Sequence, residues 1–260
     1  MKKKSTKQDW NDFWDRKQNV DEVYSNVDRI LNNLKKVTDL KGKKILEVGA
    51  GTGRDSFYMS AEGATVYVLD YSPPALKIVQ NLNQNNEHGV IPVLADTFHI
   101  PAKDETFDVV YHQGLLEHFR NPEELLKENE RVLKHGGYLL VDVPQRYHYY
   151  TIIKHILIFF NKWFAGWETE FSIKELTNLS ESLGLEVIHT YGDWKQPGII
   201  YRILREILLK LNIKIPLYPN GIPAIRKLKN YLKGKFRKTS LSYYTYLDIG
   251  VIARKSKYDS

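Results

Sequence analysis

One stretch, residues 44–55 (Lys-Ile-Leu-Glu-Val-Gly-Ala-Gly-Thr-Gly-Arg-Asp), constrains the fold more than any other part of the chain. An apolar run typical of a buried parallel strand leads directly into three glycines at alternate positions, Gly49, Gly51 and Gly53. Glycine allows a positive φ and a close approach of the backbone to a ligand. A helix is expected to follow and to end at Gly63. Strand, glycine turn and helix N-terminus together predict a site whose backbone N–H groups point at a nucleotide-type ligand.

The spacing of the glycines helps to distinguish between nucleotide cofactors. A dinucleotide fingerprint reads G-x-G-x-x-G, and its third glycine would fall at position 54, which is Arg54. This chain instead reads G-x-G-x-G, and Glu47 stands two residues before the first glycine. A single glycine turn is a weak signal, so the segments that follow it decide the interpretation.

Acidic residues end the next two predicted strands. Residues 64–70 predict a strand that ends at Asp70, 17 residues after Gly53, where a carboxylate can accept both ribose hydroxyls of an adenosine. Residues 90–96 predict a third strand that ends at Asp96. Helices alternate with these strands, which predicts a parallel sheet. Three further segments follow in order: a fourth strand at 106–112, a turn at 115–119, and a glycine turn with a fifth strand at 133–141.

This ordered set resembles the motifs of the class I S-adenosylmethionine (SAM) methyltransferases, with Glu-Val-Gly-Ala-Gly-Thr-Gly as the first motif. The resemblance is close over residues 40–145 and loose elsewhere. It implies an α/β fold with a doubly wound, seven-stranded Rossmann-like sheet of order 3-2-1-4-5-7-6, the last strand antiparallel. It also implies SAM as the cofactor, bound by a core at residues 43–145.

The resemblance carries cofactor roles to the matching positions. It implies that Glu47 orients the methionine ammonium, directly or through water, and that Asp70 binds the ribose. Asp96, with Thr97 and Phe98, is implied to meet the adenine. The expected cofactor-binding set is Glu47, Gly49, Ala50, Gly51, Gly53, Asp70, Tyr71, Asp96, Thr97, Phe98 and His112.

Candidates for acid–base chemistry are fewer, because methyl transfer from a sulfonium depends mainly on alignment and needs a base only for some acceptors. His112 ends the fourth strand, and its alternative role is a backbone contact with the cofactor. Tyr147 and His148 follow the fifth strand, where they either contact the acceptor or are solvent-facing loop residues. The pair Glu117-His118 resembles that of quinone-biosynthesis methyltransferases. Some of these have a further metal-binding Glu where this chain has Gly114, so no metal is expected.

Segments outside the core are expected to cover it. Residues 1–42 predict an N-terminal helical cap, whose Trp10, Phe13 and Trp14 at helical spacing either pack on the core or cover the cofactor. Residues 146–171 predict a lid, since loops after parallel strands stand over the ligand. Three roles are open for the apolar part of the lid: burial against the rest of the lid, lining of a substrate pocket, or contact with a membrane surface. Residues 172–260 complete the sheet and contain a basic insertion at 194–240.

Local signals also predict where several helices begin. Apolar residues at helical spacing predict a helix over 21–37. Ser72 is a predicted cap followed by Pro73, and Pro122 opens a helix in the same way. Ser172 with Glu175 three residues later predicts a capping box.

Charge is distributed unevenly along the chain. Residues 43–145 contain 9 basic and 15 acidic residues, whereas residues 202–239 contain 11 basic residues and one acid. The basic segment suggests an anionic partner. The chain has no cysteine, which excludes disulfides and thiolate metal sites and fits a reducing compartment. Without an apolar signal region or a long apolar run, we expect a cytoplasmic protein, with peripheral membrane contact allowed through 151–164 and 202–239.

The expected function is transfer of a methyl group from SAM to an O, N or C atom of a small or amphiphilic acceptor that is aromatic, lipid-like or anionic. Two alternatives remain: an RNA-modifying methyltransferase, and a non-catalytic membrane-surface protein that keeps the fold. The Tyr-His-Gln-Gly sequence at 111–114 does not resemble the D/N-P-P-Y loop of many base-methylating enzymes, which disfavours a nucleic-acid acceptor. The sequence leaves the oligomeric state open.

Overall fold

A seven-stranded sheet forms the centre of the computed structural model, which describes residues 6–16, 28–163, 165–194, 198–216 and 223–256. Its strands are β1 Lys44–Val48, β2 Thr65–Asp70, β3 Ile91–Leu94, β4 Phe107–Gln113, β5 Leu133–Pro144, β6 Leu185–Asp193 and β7 Asp248–Lys255. Their order across the sheet is β3-β2-β1-β4-β5-β7-β6, which confirms the predicted order.

Strand direction determines where the connecting segments emerge. The five strands β1 to β5 are parallel, and β7 runs antiparallel to both β5 and β6. Asp248, at the start of β7, pairs with Pro144 at the end of β5 and with Asp193 at the end of β6. The insertion between β6 and β7 therefore emerges at the same edge of the sheet as the loops that follow β1 to β5. We call this edge the carboxyl edge.

Helices connect the strands largely as the sequence signals predict. Pro73 and Pro122 stand in the first turn of their helices, where a missing N–H costs nothing. The predicted capping box is present, since the Ser172 hydroxyl accepts from the Glu175 N–H and Glu175 accepts from the Ser172 N–H. The helix predicted over 21–37 is described only as α2, because residues 17–27 lie outside the described part. The helices are α1 Lys7–Asp15, α2 Arg29–Leu34, α3 Arg54–Ala61, α4 Pro73–Gln84, α5 Pro122–Val132, α6 Tyr149–Phe159, α7 Ile173–Glu181, α8 Ile199–Lys210 and α9 Pro223–Arg237.

Apolar side chains on both faces of the sheet form two core layers. Neighbouring residues of β4 point to opposite faces, so that Val110 packs in the layer under α5 and α7 while Val109 packs in the layer under α2, α3 and α4. Each fully buried aliphatic side chain contributes about 1.5–3 kcal/mol. The layers hold the sheet rigid, and the carboxyl edge is where the loops and insertions lie. No helix among the described residues has the length and apolar character needed to cross a bilayer.

Candidate active site

The glycine turn joins β1 to α3 in left-handed backbone conformations, with φ of +64° at Gly49, +55° at Gly51 and +63° at Gly53. The Ala50 N–H donates to the Leu69 carbonyl at 3.0 Å, which ties the turn to β2. A Cβ at Gly49 would lie 2.6 Å from Cδ1 of Leu115, so the turn is pressed against the segment that follows β4. The site therefore needs glycine both for its φ and for this close approach.

Asp70, at the end of β2, is buried beside the turn. Its Oδ2 accepts from the Gly51 N–H at 2.9 Å and its Oδ1 accepts from the Ser72 N–H at 2.8 Å. Burial raises the pKa of this carboxyl, and the two backbone donors oppose that shift. An ionised carboxylate has about four acceptor positions, so both oxygens keep capacity for the two hydroxyls of a ribose. The arrangement fits the adenosine part of SAM.

The predicted adenine-binding residues follow β3. Because Leu94 of β3 pairs with Asp70 of β2, the loop that carries Asp96, Thr97 and Phe98 starts beside Asp70. Asp96 is exposed, and its Oδ1 accepts from the Phe98 N–H at 3.0 Å. The Phe98 ring meets the Phe119 ring edge-on at 4.9 Å. This loop offers a carboxylate and an aromatic face at the carboxyl edge.

The N-terminal helix α1 crosses the same edge. The Trp10 ring meets the His118 ring edge-on at 4.9 Å, and Asn11 Oδ1 accepts from the Ser72 hydroxyl at 2.8 Å. Lys7 places its ammonium 5.7 Å from the centre of the half-buried Tyr71 ring. Helix α1 thus contacts both the loop after β2 and the turn after β4, the two segments that flank the glycine turn.

Glu47 is held by hydroxyl groups of the chain itself. The Ser56 hydroxyl donates to Glu47 Oε2 at 2.6 Å and lies 2.7 Å from the Tyr111 hydroxyl. Burial raises the pKa of Glu47 to about 8, with a further increase from nearby Asp55. Ser56 and Tyr111 were not found by sequence reasoning, since only the fold brings α3 and β4 to this carboxyl. The expected role of Glu47 toward a methionine ammonium stays a prediction.

The three predicted catalytic residues lie in different surroundings. His112 is fully buried, both of its ring nitrogens lack a hydrogen-bond partner, and burial lowers its pKa to about 3. Tyr147 is exposed, with its ring 5.2 Å from that of Tyr244. His148 is buried, and its Nδ1 accepts from the Tyr150 N–H at 3.2 Å, capping α6. Their catalytic roles stay predictions.

A buried charged cluster lies under α6 in the lid. The Lys154 ammonium is 2.8 Å from Glu168 Oε2 and 3.2 Å from Glu170 Oε1. Trp163 Nε1 donates to Glu168 Oε1 at 2.6 Å, and His118 Nδ1 is 3.9 Å from the same oxygen. Sequence reasoning missed this cluster; its one signal was a lysine interrupting the apolar stretch of the lid.

The turn after β4 connects this cluster to the cofactor side. Glu117 is buried, its Oε2 has no hydrogen-bond partner, and the Thr169 N–H donates to its carbonyl at 2.7 Å. Burial, and then the charge of Glu168, raise the pKa of Glu117, whereas burial lowers the pKa of His118. The turn therefore carries a buried carboxyl group and a neutral imidazole at consecutive positions. Within the described ranges, no group of three or more His, Asp or Glu side chains could hold a metal ion.

A second buried network fixes α2 to the carboxyl edge. The Arg29 guanidinium is 2.7 Å from Asp142 and 2.5 Å from Asp248, and the Tyr191 hydroxyl donates to Asp142 at 2.9 Å. Burial raises the pKa of Asp142 to about 7, although Arg29 opposes the shift. These residues come from α2, β5, β6 and β7, so no local pattern in the sequence could have joined them.

Known proteins share both the sequence and the fold of this region. Residues 46–141 match the family described as Methyltransferase domain. The ubiquinone biosynthesis O-methyltransferase of Coxiella burnetii is 27% identical over 158 residues, which cover 59% of this chain and 68% of that protein. The tRNA U34 carboxymethyltransferase of Saccharophagus degradans is 32% identical over 121 residues, or 44% of this chain and 35% of that protein.

An enzyme with the same fold has been solved with S-adenosylhomocysteine and with SAM. Magnesium protoporphyrin IX methyltransferase from Synechocystis PCC 6803, with bound S-adenosylhomocysteine, superimposes with a TM-score of 0.57. The two chains are 14% identical, and the match covers 88% of this chain and 81% of the other. The same enzyme has also been solved with bound SAM. The methyltransferase domain matched over residues 46–141, the related sequences and the strand order together identify a SAM-dependent methyltransferase with the class I fold, whose cofactor is SAM.

Proposed function

We propose that this enzyme methylates a hydroxyl oxygen of a small, amphiphilic acceptor that binds between the Glu117-His118 turn and the lid helix α6. One observation carries the proposal: a buried carboxyl with an unpartnered oxygen and a neutral imidazole occupy consecutive positions in the turn where the cofactor side meets the lid. Glu117 and His118 also contact the two segments that cover the site. Thr169 of the lid donates its N–H to Glu117, and Trp10 of α1 packs on His118.

The chain's own residues then have distinct roles. The glycine turn and Asp70 hold the adenosyl group, and SAM supplies a methyl group activated by its positively charged sulfur. When the acceptor oxygen forms its bond to that methyl group, the hydroxyl proton must leave. His118 takes this proton, since its lowered pKa keeps the imidazole neutral and able to accept. The free oxygen of Glu117 orients the acceptor hydroxyl. The likeness to a protein named ubiquinone biosynthesis O-methyltransferase supports oxygen as the acceptor atom.

Cofactor binding is tested with Asp70→Ala and a matched control. Asp39→Ala also removes a carboxylate that accepts a backbone N–H, but from an exposed turn before β1, away from the carboxyl edge. By isothermal titration calorimetry we expect Asp70→Ala to weaken SAM binding at least tenfold and Asp39→Ala to leave it unchanged. Equal affinities in the two variants would refute the ribose-binding role of Asp70.

The chemical step is tested with Glu117→Gln and His118→Asn. Labelled methyl transfer from SAM into lipid, RNA and small-metabolite fractions of a cell extract first identifies the acceptor class. Loss of a general base lowers the turnover number by about 10²–10⁴-fold, so His118→Asn should retain SAM affinity and lose turnover to that extent. Unchanged turnover in both variants would remove this turn from the mechanism, without affecting the cofactor assignment.

A nucleic-acid acceptor is the second candidate. The similarity to a tRNA U34 carboxymethyltransferase and the basic segment at 202–239 favour it. Binding of tRNA that weakens steeply with salt, together with label in the RNA fraction, would support it. No retention on RNA at low salt would exclude it.

A further inference from the structure

Helix α6 buries two polar side chains beside Ile158 and leaves most of its apolar side chains exposed, unlike an ordinary surface helix. Lys154 is only 1% exposed and Thr151 only 5%, so both point inward. Ile152 is 65% exposed, Ile156 53% and Phe159 75%, so the apolar face points outward. A helix that packs on a protein core normally turns its apolar stripe toward that core. The outward face of α6 is therefore built for contact with something else.

Buried polar contacts hold α6 in this orientation. The Lys154 ammonium bridges Glu168 and Glu170, and the Thr151 hydroxyl donates to the Gln145 carbonyl at 2.8 Å. Turning the isoleucines inward would break these contacts and leave Glu168, which is 6% exposed, without its cation. Leaving a buried charge unpaired is strongly destabilising. The exposure of the apolar face is thus a fixed property of the folded chain.

The insertion between β6 and β7 adds similar surfaces at the same edge. Helices α8 and α9 both emerge from the carboxyl edge, and the contact between the Tyr147 and Tyr244 rings links the lid to the segment after α9. The exposed apolar residues of the insertion include Leu204, Ile207 and Leu211 in and directly after α8, and Leu228, Tyr231 and Leu232 in α9. We call these side chains, together with the outward face of α6, the docking face.

Charge indicates which partner the docking face fits. Residues 202–239 contain 11 basic residues and one acid, and Lys227 and Lys229 are exposed beside the apolar residues of α9. Amphipathic helices of this kind, with lysine next to exposed leucine and aromatic side chains, bind anionic membrane surfaces. The α6 part of the face consists mainly of isoleucines, with Phe159 at its end, and this suits acyl chains better than RNA, because single-stranded RNA is bound by stacking on aromatic side chains in basic grooves.

We propose that the docking face seats the carboxyl edge of the sheet on an anionic lipid bilayer. The apolar side chains enter the boundary between headgroups and acyl chains, and the lysines face anionic headgroups. The lipid contact is a property of the surface and does not depend on which molecule is methylated.

Co-sedimentation with vesicles of phosphatidylcholine alone, or with an equal part of phosphatidylglycerol, tests this proposal. We expect strong binding only to the anionic vesicles. Each basic residue near such a surface is worth about 1 kcal/mol, so the double variant Lys227→Glu/Lys229→Glu, which also adds two repelled carboxylates, should bind at least about thirtyfold more weakly. Ile152→Glu/Ile156→Glu should lose at least tenfold. The matched controls are Lys77→Glu/Lys103→Glu, two exposed lysines elsewhere on the chain, and Ile188→Glu on β6, which should bind like the wild type.

Three outcomes would overturn the proposal. The protein could stay in the supernatant with both vesicle types, or all variants could sediment alike. It could instead form a dimer that buries the isoleucines. Analytical ultracentrifugation would then show a dimer for the wild type and a monomer for Ile152→Glu/Ile156→Glu. SAM calorimetry on every variant separates these results from misfolding and from failure of the cofactor assignment.

Discussion

Replacing Gly49 by alanine tests the close approach on which the glycine turn depends. Two separate costs arise at this position. An L-residue at the φ of +64° costs about 1–2 kcal/mol, and the new Cβ would stand 2.6 Å from Leu115 Cδ1 and 2.9 Å from its Cδ2. Relieving such a contact in a packed region costs about 1–3 kcal/mol more. We therefore expect Gly49→Ala to lower the free energy of unfolding by about 2–5 kcal/mol.

A second glycine isolates the backbone cost. Gly42 has a φ of +73°, and an added Cβ there would meet nothing within 4 Å. Gly42→Ala should therefore lose only about 1–2 kcal/mol. Urea unfolding followed by circular dichroism gives both values, and SAM calorimetry should show weaker binding for Gly49→Ala alone, because Gly42 precedes β1 at the opposite edge of the sheet.

A double-mutant cycle isolates the steric cost. Leu115→Ala removes the side chain that the new Cβ would meet, so Gly49→Ala should cost less in that background, by about 1–3 kcal/mol. The reasoning fails if Gly49→Ala destabilises no more than Gly42→Ala, or if the two substitutions at Gly49 and Leu115 are additive.

Other measurements examine the buried polar groups. Because the pKa of Glu47 rises from its usual 4.5 to about 8 on folding, the folded state binds more protons between these values and stability should fall as pH rises through this window. The urea midpoint should be lower at pH 8 than at pH 5, and this difference should be smaller in Glu47→Gln. An equal difference in the two proteins would contradict the assignment of the pH dependence to Glu47. Arg29→Met leaves Asp142 and Asp248 without their cation and should cost about 3–5 kcal/mol in urea unfolding, whereas a loss under 1 kcal/mol would show that the pair adds nothing. Ser172→Ala removes the cap of α7 and should cost about 1 kcal/mol by the same assay, with no change in SAM affinity.

The order of the strands was predictable because each motif is local and carries its own boundary. Gly49 and its neighbours mark the end of β1, and Asp70 is the last residue of β2, as predicted. Helix starts followed from Pro73 and from the box formed by Ser172 and Glu175. Two details differ. Ser72 was expected to cap α4, but its hydroxyl donates to Asn11 of α1 instead. The third strand was expected to end at Asp96, but β3 ends at Leu94.

The contacts that shape the rest of the site were not predictable, since they join residues far apart in the chain. Arg29 meets Asp142 and Asp248 only after the sheet has formed. Lys154 is an example of a misleading local signal, because its neighbours suggest a helix with an apolar inner face. The pairing of Lys154 with Glu168 reverses that orientation, and charge pairing across 14 positions leaves no periodic trace in the sequence.

Because the lid and the β6–β7 insertion leave and rejoin the sheet at one edge, most of the core does not depend on them. These segments could be lengthened, shortened or exchanged without disturbing the strand pairs of the central sheet. A methyltransferase of this design can therefore change its acceptor through changes in the lid and the β6–β7 insertion, while the region around the glycine turn stays the same.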